Sequence, residues 1–316
     1  MNLFQSPEWE AFKLATGYQK SYRINDILVL QKSLPMGRNM LYSPMVNNEE
    51  RIMNNRFLEQ IKDIARDNRS IFYRLELDVP LHNSSFINHH SLFKKAFEEM
   101  QPEHTLVLDI SKPEDEILKQ MKQKGRYNIK VAQKNQINIV EEKDTKNFFK
   151  LYSSMSQRHN ISHRNSAYFQ KLIDILSTKG YCKVFTAVVK QNNELRIKND
   201  AEDKKANQIP IASVIISFYQ DKAIYLFGGS SDEYKNLMAP YLLQWTAIRE
   251  AKSRGCTEYD FFGIAPPNEP NHPWRGVTDF KKKFGGQEIR LAGSWDLILR
   301  PFEYNLFKIA EKIRRK

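Results

Sequence analysis

The sequence predicts an α/β protein, mixed in the α+β sense, made of two units of similar kind. Three observations carry that reading. A chain of 316 residues is long enough for two domains, each with its own core. An apolar fraction of 41% with 12% aromatics belongs to a globular chain. The second half runs strand, helix, strands, Gly-Gly turn, helix, strand, long loop, strand, and the first half reads as a looser version of that order. The expected division is residues 1–110 with 296–316 for one unit and 111–295 for the other.

In the first half, Ser6 is a candidate N-cap, Pro7 suits a first helical turn and Gly17 follows the end. This predicts a helix over Ser6–Thr16 with Trp9, Phe12 and Lys13 near one face. Strands are expected at Ser21–Gln31 and around Met40–Ser43, then a helix over Glu49–Asn68 that turns Ile52, Leu58, Ile61 and Ala65 inward. The alternation in SIFYRLELDV predicts a strand over Ser70–Val79, stopped by Pro80. A helix over His90–Met100 and a strand over Thr105–Asp109 complete the unit.

Residues Pro113–Lys134 are expected to be helical. Leu118, Met121, Ile129 and Ala132 form an apolar stripe, and Lys119, Lys122, Arg126, Lys130 and Lys134 recur at helical spacing opposite it. That face is either solvated surface or a phosphate-contacting one, with no acidic residues to neutralise it. A strand at Gln136–Val140 and helices at Asp144–Gln157 and Tyr168–Leu176 follow. Between the helices His159 and His163 stand four apart, but no third ligand accompanies them, so no metal is expected. Strands at Cys182–Lys190 and Ile211–Tyr219 flank QNNELRIKNDAEDKKANQ, which reads as a long hairpin tip. After a strand at Ala223–Phe227 come Gly228-Gly229-Ser230-Ser231, read as a turn, and a helix over Pro240–Arg254 closed by Gly255. The tail PFEYNLFKIAEKIRRK reads as an amphipathic helix with a basic end, packed back on the protein or touching anionic lipid.

The formal charge of +12 favours an anionic partner such as nucleic acid, nucleotide or an acidic membrane face. Cys182 and Cys256 lie far apart, so a disulfide framework or zinc ribbon is excluded, and both read as core residues. The start MNLFQSPEWEAFK is unlike a signal peptide, and no stretch reaches the roughly 18 apolar residues of a membrane span. A cytoplasmic protein is the expectation.

Function is expected in Glu258–Asp296. Tyr259–Ile264 reads as a buried strand, and a Pro/Asn/Gly-rich loop over Ala265–Gly276 follows. Then Phe280 stands beside Lys281, Lys282 and Lys283, before Gly285-Gly286 and another strand. Long loops inside a domain are usually functional or mobile, and this cationic run calls for an anionic ligand. No Ser-His-Asp or Cys-His set is evident, so a covalent acyl-enzyme is not expected.

The order of elements in the second half resembles the acyl-CoA N-acyltransferase (GNAT-like) topology, and the chain reads as two side-by-side GNAT-like domains. More specifically, QSPEWEAFK, FYRLELDVP, QRHNISHRNSAYFQ, APYLLQWTAI, EYDFFGI and DFKKKFGG, in this order and spacing, resemble the Fem family of transferases (FemABX-like) over nearly the whole chain. The likeness is to compact members, because no long charged helical hairpin interrupts the second unit. The resemblance implies transfer of an amino acid from aminoacyl-tRNA to the stem-peptide amine of a peptidoglycan precursor, UDP-MurNAc-pentapeptide or lipid II. It implies a role in the interpeptide bridge, cell-wall biogenesis and cell shape, with no metal or organic cofactor. Contact with the inner membrane face is compatible with it.

The resemblance also assigns residues. Lys13 and Arg164 match a lysine and an arginine that meet the precursor's phosphates, and a point charge with a planar fork suits a diphosphate. Tyr73 and Tyr168 match tyrosines lining the same groove, while Phe227 stands where the family has a third, so one hydroxyl contact is missing. Asp78 matches an aspartate that is either a base or a structural cap. Phe280 and Lys281 match the pair at the reaction centre. There the ammonium opposes charge developing on the ester carbonyl and the departing ribose oxygen, and the Phe280 carbonyl holds the incoming amine. The tRNA acceptor end is expected to meet basic surface of the second unit, with the Lys119–Lys134 face as candidate.

Two other readings compete. An acetyl-CoA-dependent N-acetyltransferase usually cradles pyrophosphate in a Q/R-x-x-G-x-G/A turn, whereas GGSSDEYKNLMAPY lacks that pattern and carries Asp232 and Glu233. A non-enzymatic RNA-binding module would need an aromatic sheet of the RNP type, and the aromatics here are distributed as core.

Overall fold

The computed structural model describes residues 2–52, 54–86, 91–158, 164–190 and 208–314. The chain divides into two compact units, residues 1–105 with 288–316, and residues 106–287.

The first unit opens with α1 (Pro7–Ala15), begun by the Ser6 hydroxyl accepting the Trp9 N–H at 3.1 Å. The single strand expected over Ser21–Gln31 is a hairpin of β1 (Lys20–Ile24) and β2 (Ile27–Leu34). Asn25 and Asp26 both take left-handed φ, 48° and 62°, which suits a two-residue turn and brings Ile24 opposite Ile27. β3 (Arg38–Val46) pairs antiparallel with β2 and parallel with β4 (Ser70–Pro80), and α2 (Asn55–Asp67) makes the crossover between them. Phe57, Leu58, Ile61 and Ala65 of that helix pack on Leu41, Tyr73, Leu75 and Leu77 of the sheet.

The helix expected over His90–Met100 is not there. Residues 91–100 contain instead the short strand β5 (Phe93–Lys95), paired with the late strand β12 (Gln287–Ile298), which also pairs with β4. Phe93 packs against Phe86 at 5.1 Å and Tyr73 at 6.3 Å, so a tertiary contact overrides local helical spacing. The C-terminal helix α9 (Pro301–Arg314) lays Tyr304 and Phe307 on Phe72.

In the second unit the sheet runs β6 (His104–Asp109), β11 (Glu258–Gly263), β10 (Lys222–Ser230), β9 (Gln208–Tyr219), β8 (Cys182–Lys190) and β7 (Asn138–Glu142). β10 pairs with β11 in parallel, and β7 to β10 are antiparallel in succession. The insert read as a hairpin tip lies outside the described residues, between paired Lys190 and Gln208. The helical segment expected over Pro113–Lys134 is two helices, α3 (Glu114–Gln120) and α4 (Gln123–Lys134). Met121 breaks them with ψ 146°, burying its side chain, and the Lys122 N–H goes to the Lys283 carbonyl at 3.0 Å. α5 (Lys146–Arg158) and α6 (Ser166–Leu176) follow, and then α7 (Ala239–Ser253) and α8 (Arg275–Lys281). Ile129 and Ala132 of α4 with Leu243, Ala247 and Ile248 of α7 share one core with Val214, Ile216 and Tyr259.

Gly228 and Gly229 do not turn the chain; they lie within β10. A Cβ on Gly229 would come within 2.6 Å of the Tyr152 backbone nitrogen, and one on Gly228 would collide with the Tyr225 hydroxyl. Gly229 lets α5 lie directly on the strand, and Gly228 leaves room for the Tyr225 ring.

Candidate active site

β10 and β11 pair only from Lys222↔Glu258 to Ile224↔Asp260, although β10 runs on to Ser230 and β11 to Gly263. Two local distortions mark the point where the ladder stops. β10 shifts register against β9 between Tyr225 and Phe227, as a bulge does. On the other strand Phe262 takes φ 58°, a costly conformation for an aromatic residue, and the Asp260 carboxylate holds it by accepting the Phe262 N–H at 2.8 Å.

Lys281, the last residue of α8, reaches into this parting. Its ammonium donates to the Gly263 carbonyl at 2.6 Å and approaches the Phe262 carbonyl at 3.4 Å. On the β10 side it lies 5.5 Å from the centre of the Tyr225 ring. Lys281 is only 7% exposed, and burial pushes its amine down to about 8 against the pull of the Asp260 charge. Desolvation pushes the Tyr225 phenol up to about 12, so it stays neutral beside the lysine. A positive charge held in a desolvated site by two carbonyl dipoles is suited to meet negative charge that develops there.

The surrounding segments fix that lysine. The Ala265 N–H donates to the Thr278 hydroxyl at 2.8 Å, tying the loop to α8. Phe280 packs its ring on Tyr241 at 5.0 Å and Phe284 at 5.4 Å. Its carbonyl, expected to hold an incoming amine, accepts the Lys282 N–H, because the cationic segment is the end of a helix. Gly285 and Gly286, with φ 85° and 89°, allow the chain to leave: a Cβ on either would press on the carbonyls of Gln120 or Val107, at 2.5 and 2.6 Å.

A second group lies beside the bulge. The Arg164 guanidinium stands 5.1 Å over the Tyr168 ring, and Tyr168 meets Phe227 edge to face at 6.3 Å. Phe169 and Tyr152 close the other sides of Phe227 at 5.1 and 6.4 Å. Phe227, from a distant stretch of sequence, is therefore a neighbour of the Arg164–Tyr168 pair. Burial raises the Tyr168 phenol despite the opposing charge of Arg164. The paired histidines His159 and His163 lie outside the described residues.

Lys13, Tyr73 and Asp78 belong to the first unit. The Lys13 ammonium sits among the rings of Trp9, Tyr18 and Phe12 at 5.1, 5.4 and 5.6 Å. Tyr73 is wholly within the core, packed at an angle on Phe57 and edge to face on Phe93, so its ring is occupied by protein. Asp78, near the end of β4, accepts from the Asn2 side chain at 2.9 Å, as a structural cap does.

The basic face is smaller than its spacing suggested. Lys119 pairs with Asp115 at 3.0 Å, and Arg126 donates to the Leu118 and Met121 carbonyls, capping α3. Acidic residues in the first turn of α3 thus correct the expectation of an unneutralised face. Lys122, Lys130 and Lys134 remain exposed, joined by Lys124 and by Tyr127, which is 64% exposed. Tyr127 falls three and seven residues from Lys130 and Lys134, and that spacing could have flagged it in the sequence. The face abuts the Phe280–Lys283 segment, since Lys122 and Gly125 both pack on the Lys283 carbonyl. Tyr225, Asp260 and Phe262 were also passed over, and no linear motif marks them.

The FemAB family profile matches residues 82–192 and 185–312. The lipid II:glycine glycyltransferase of Staphylococcus aureus is 23% identical over 335 aligned residues, covering 83% of this chain and 80% of that one. The crystal structure of FemX is similar with a TM-score of 0.81 at 22% identity, over 96% of this chain and 94% of that one. A tandem GNAT protein from the clavulanic acid biosynthesis pathway is similar with a TM-score of 0.50 at 10% identity, over 85% and 78%. The fold is therefore the mixed α/β, tandem GNAT-like one.

Proposed function

The chain belongs to the FemAB family, and on that premise we propose that it is an aminoacyltransferase of interpeptide-bridge synthesis, acting on a peptidoglycan precursor. The observation that carries this reading is Lys281, buried where β10 and β11 part, with an amine near 8. In the proposed reaction the stem-peptide amine attacks the ester carbonyl of aminoacyl-tRNA. A C–N bond forms, the ester C–O bond breaks, and the amine's proton ends on the departing ribose oxygen. The Lys281 ammonium opposes the charge on the carbonyl oxygen and then on the ribose oxygen. An amine near 8 is mostly charged at pH 7, yet releases a proton readily to the ribose oxygen and regains one from the attacking amine.

Phe280 sets the position of Lys281 through its packing on Tyr241 and Phe284. Arg164, Tyr168 and Phe227 take the precursor's phosphate and sugar region. The tRNA backbone meets Lys122, Lys124, Lys130 and Lys134, with Tyr127 available to stack on an unpaired base. The reaction requires no metal or organic cofactor and takes place at the cytoplasmic side. The glycyltransferase relative favours glycine as donor and lipid II, which brings the enzyme to the membrane face, as acceptor.

The test is incubation of the purified protein with lipid II or UDP-MurNAc-pentapeptide and a mixture of aminoacyl-tRNAs that includes glycyl-tRNA, read by mass spectrometry. The expected result is precursor heavier by one amino-acid residue. No gain on either acceptor, with acetyl-CoA labelling an amine instead, would overturn the proposal.

A further inference from the structure

Helix α9 has two apolar faces. One is used: Tyr304 and Phe307 pack on Phe72, Phe307 also meets Phe97 at 6.0 Å, and the Tyr304 hydroxyl donates to Asp296 at 2.7 Å. The other faces water. Phe302, Leu306, Ile309 and Ile313 recur at spacings of four, three and four, and all are exposed, Phe302 at 76% and Ile313 at 69%. The helix is anchored by its first face, so the second is a built surface of the first unit.

A separate element carries the same character. The loop between β2 and β3 is Pro35-Met36-Gly37, closed by the Leu34↔Arg38 pair. At its tip Met36 is 92% exposed in a left-handed conformation, φ 60°, a poor place for an apolar side chain in water. Arg38, at the base of this loop, pairs with Glu303 in the first turn of α9 at 2.5 Å. That ion pair ties the apolar tip to the apolar stripe.

Cations accompany the stripe. Lys308 and Lys312 make no ion pair among the described residues, and the sequence continues from Arg314 into Arg315 and Lys316. A second copy of this chain, itself carrying +12, would be repelled from such a surface. An anionic bilayer supplies both what the apolar side chains and what the lysines lack. No helix among the described residues is long and apolar enough to cross a membrane.

We propose that Phe302, Leu306, Ile309 and Ile313 of α9, with Met36 at the β2–β3 tip, form a peripheral docking surface for an anionic lipid bilayer, with Lys308 and Lys312 meeting its headgroups. This rests on the reading of a lipid-linked acceptor, which it deepens: docking confines the enzyme to the surface that holds its substrate.

The experiment is co-sedimentation of the full chain with phosphatidylglycerol–phosphatidylethanolamine vesicles and with phosphatidylcholine vesicles, without precursor or tRNA. Wild type should bind the anionic vesicles about tenfold more tightly, and less so as salt rises. Leu306→Asp/Ile309→Asp should lose that binding while keeping the melting temperature and the turnover of the soluble UDP-linked acceptor. Lys308→Glu/Lys312→Glu should lose only the preference for anionic lipid. Absence of wild-type binding, unchanged binding in both variants, or a dimer by sedimentation velocity that the aspartate variant dissolves would each overturn the proposal. Vesicle binding with these variant effects, in a protein that transfers no amino acid to any acceptor, would support the surface and count against the transferase reading alone.

Discussion

Arg74 in the first unit and Lys281 in the second are both buried cations, and the chain treats them in opposite ways. The Arg74 guanidinium makes a two-pronged pair with Asp296 at 2.7 and 2.8 Å and reaches Glu98 at 3.2 Å, while Tyr304 donates to the same aspartate. Burial would lower its pKa, but the hydrogen bonds and charges of Asp296 and Glu98 outweigh that and raise it. Lys281 has two carbonyl oxygens and the charge of Asp260, and burial prevails. A matched cation holds a fold together, whereas one left short of counter-charge is what the proposed catalytic role of Lys281 requires.

Three changes would break or sharpen that contrast. The largest effect is expected from Arg74→Met, which strands Asp296 as a buried, unpaired charge and should cost about 3–5 kcal/mol in denaturant unfolding. A loss below about 1 kcal/mol would mean that the network is not what holds this sheet.

Lys281→Met should act the other way. Turnover is expected to fall about 10²–10³-fold, with precursor binding nearly unchanged. The lysine's folded pKa, about 8, lies below its ordinary 10.5, so burying the ammonium destabilises the fold in full below pH 8. That cost is roughly 3 kcal/mol, less the hydrogen bonds to the two carbonyls, and it fades as pH rises from 8 to 10.5. The variant should therefore be the more stable protein at pH 7, with the gap closing toward pH 10.5. A variant less stable than wild type at pH 7 would place Lys281 with Arg74 as a structural cation.

The smallest effect belongs to Asp260→Asn, which keeps an acceptor for the Phe262 N–H and removes the charge that supports the ammonium. The Lys281 amine should fall further, and the alkaline limb of the rate profile should move to lower pH by up to about one unit. A limb that stays in place would belong to some group other than Lys281.

Local signals were legible because their causes are local. The Ser6 cap, Pro7 at the first turn and the apolar spacing up to Phe12 define α1 without help from elsewhere. The break at Met121 and the strand at Phe93–Lys95 were not legible, because in each case a distant partner, Lys283 or β12, claims the backbone. The Gly228-Gly229 pair looked like a turn for the same reason: the backbone of α5 against Gly229 and the Tyr225 ring against Gly228 explain why no side chain fits there. Arg164, Tyr168 and Phe227 were found through family resemblance, and the fold makes them neighbours.

By itself, the sequence determined the family and most of the strands and helices, and it pointed to the aromatic–lysine run as the candidate reaction centre. Family resemblance singled out Lys281, but composition and spacing give no physical reason why it should differ from Lys282 and Lys283, which are the same residue in the same segment. The tertiary structure supplies that reason, because α8 ends with Lys281 facing the parting of β10 and β11, where the bulge at Tyr225–Phe227 and the turned backbone of Phe262 leave carbonyl oxygens to receive it. Desolvation depends on what surrounds a group in space, and adjacency in sequence carries little of that information.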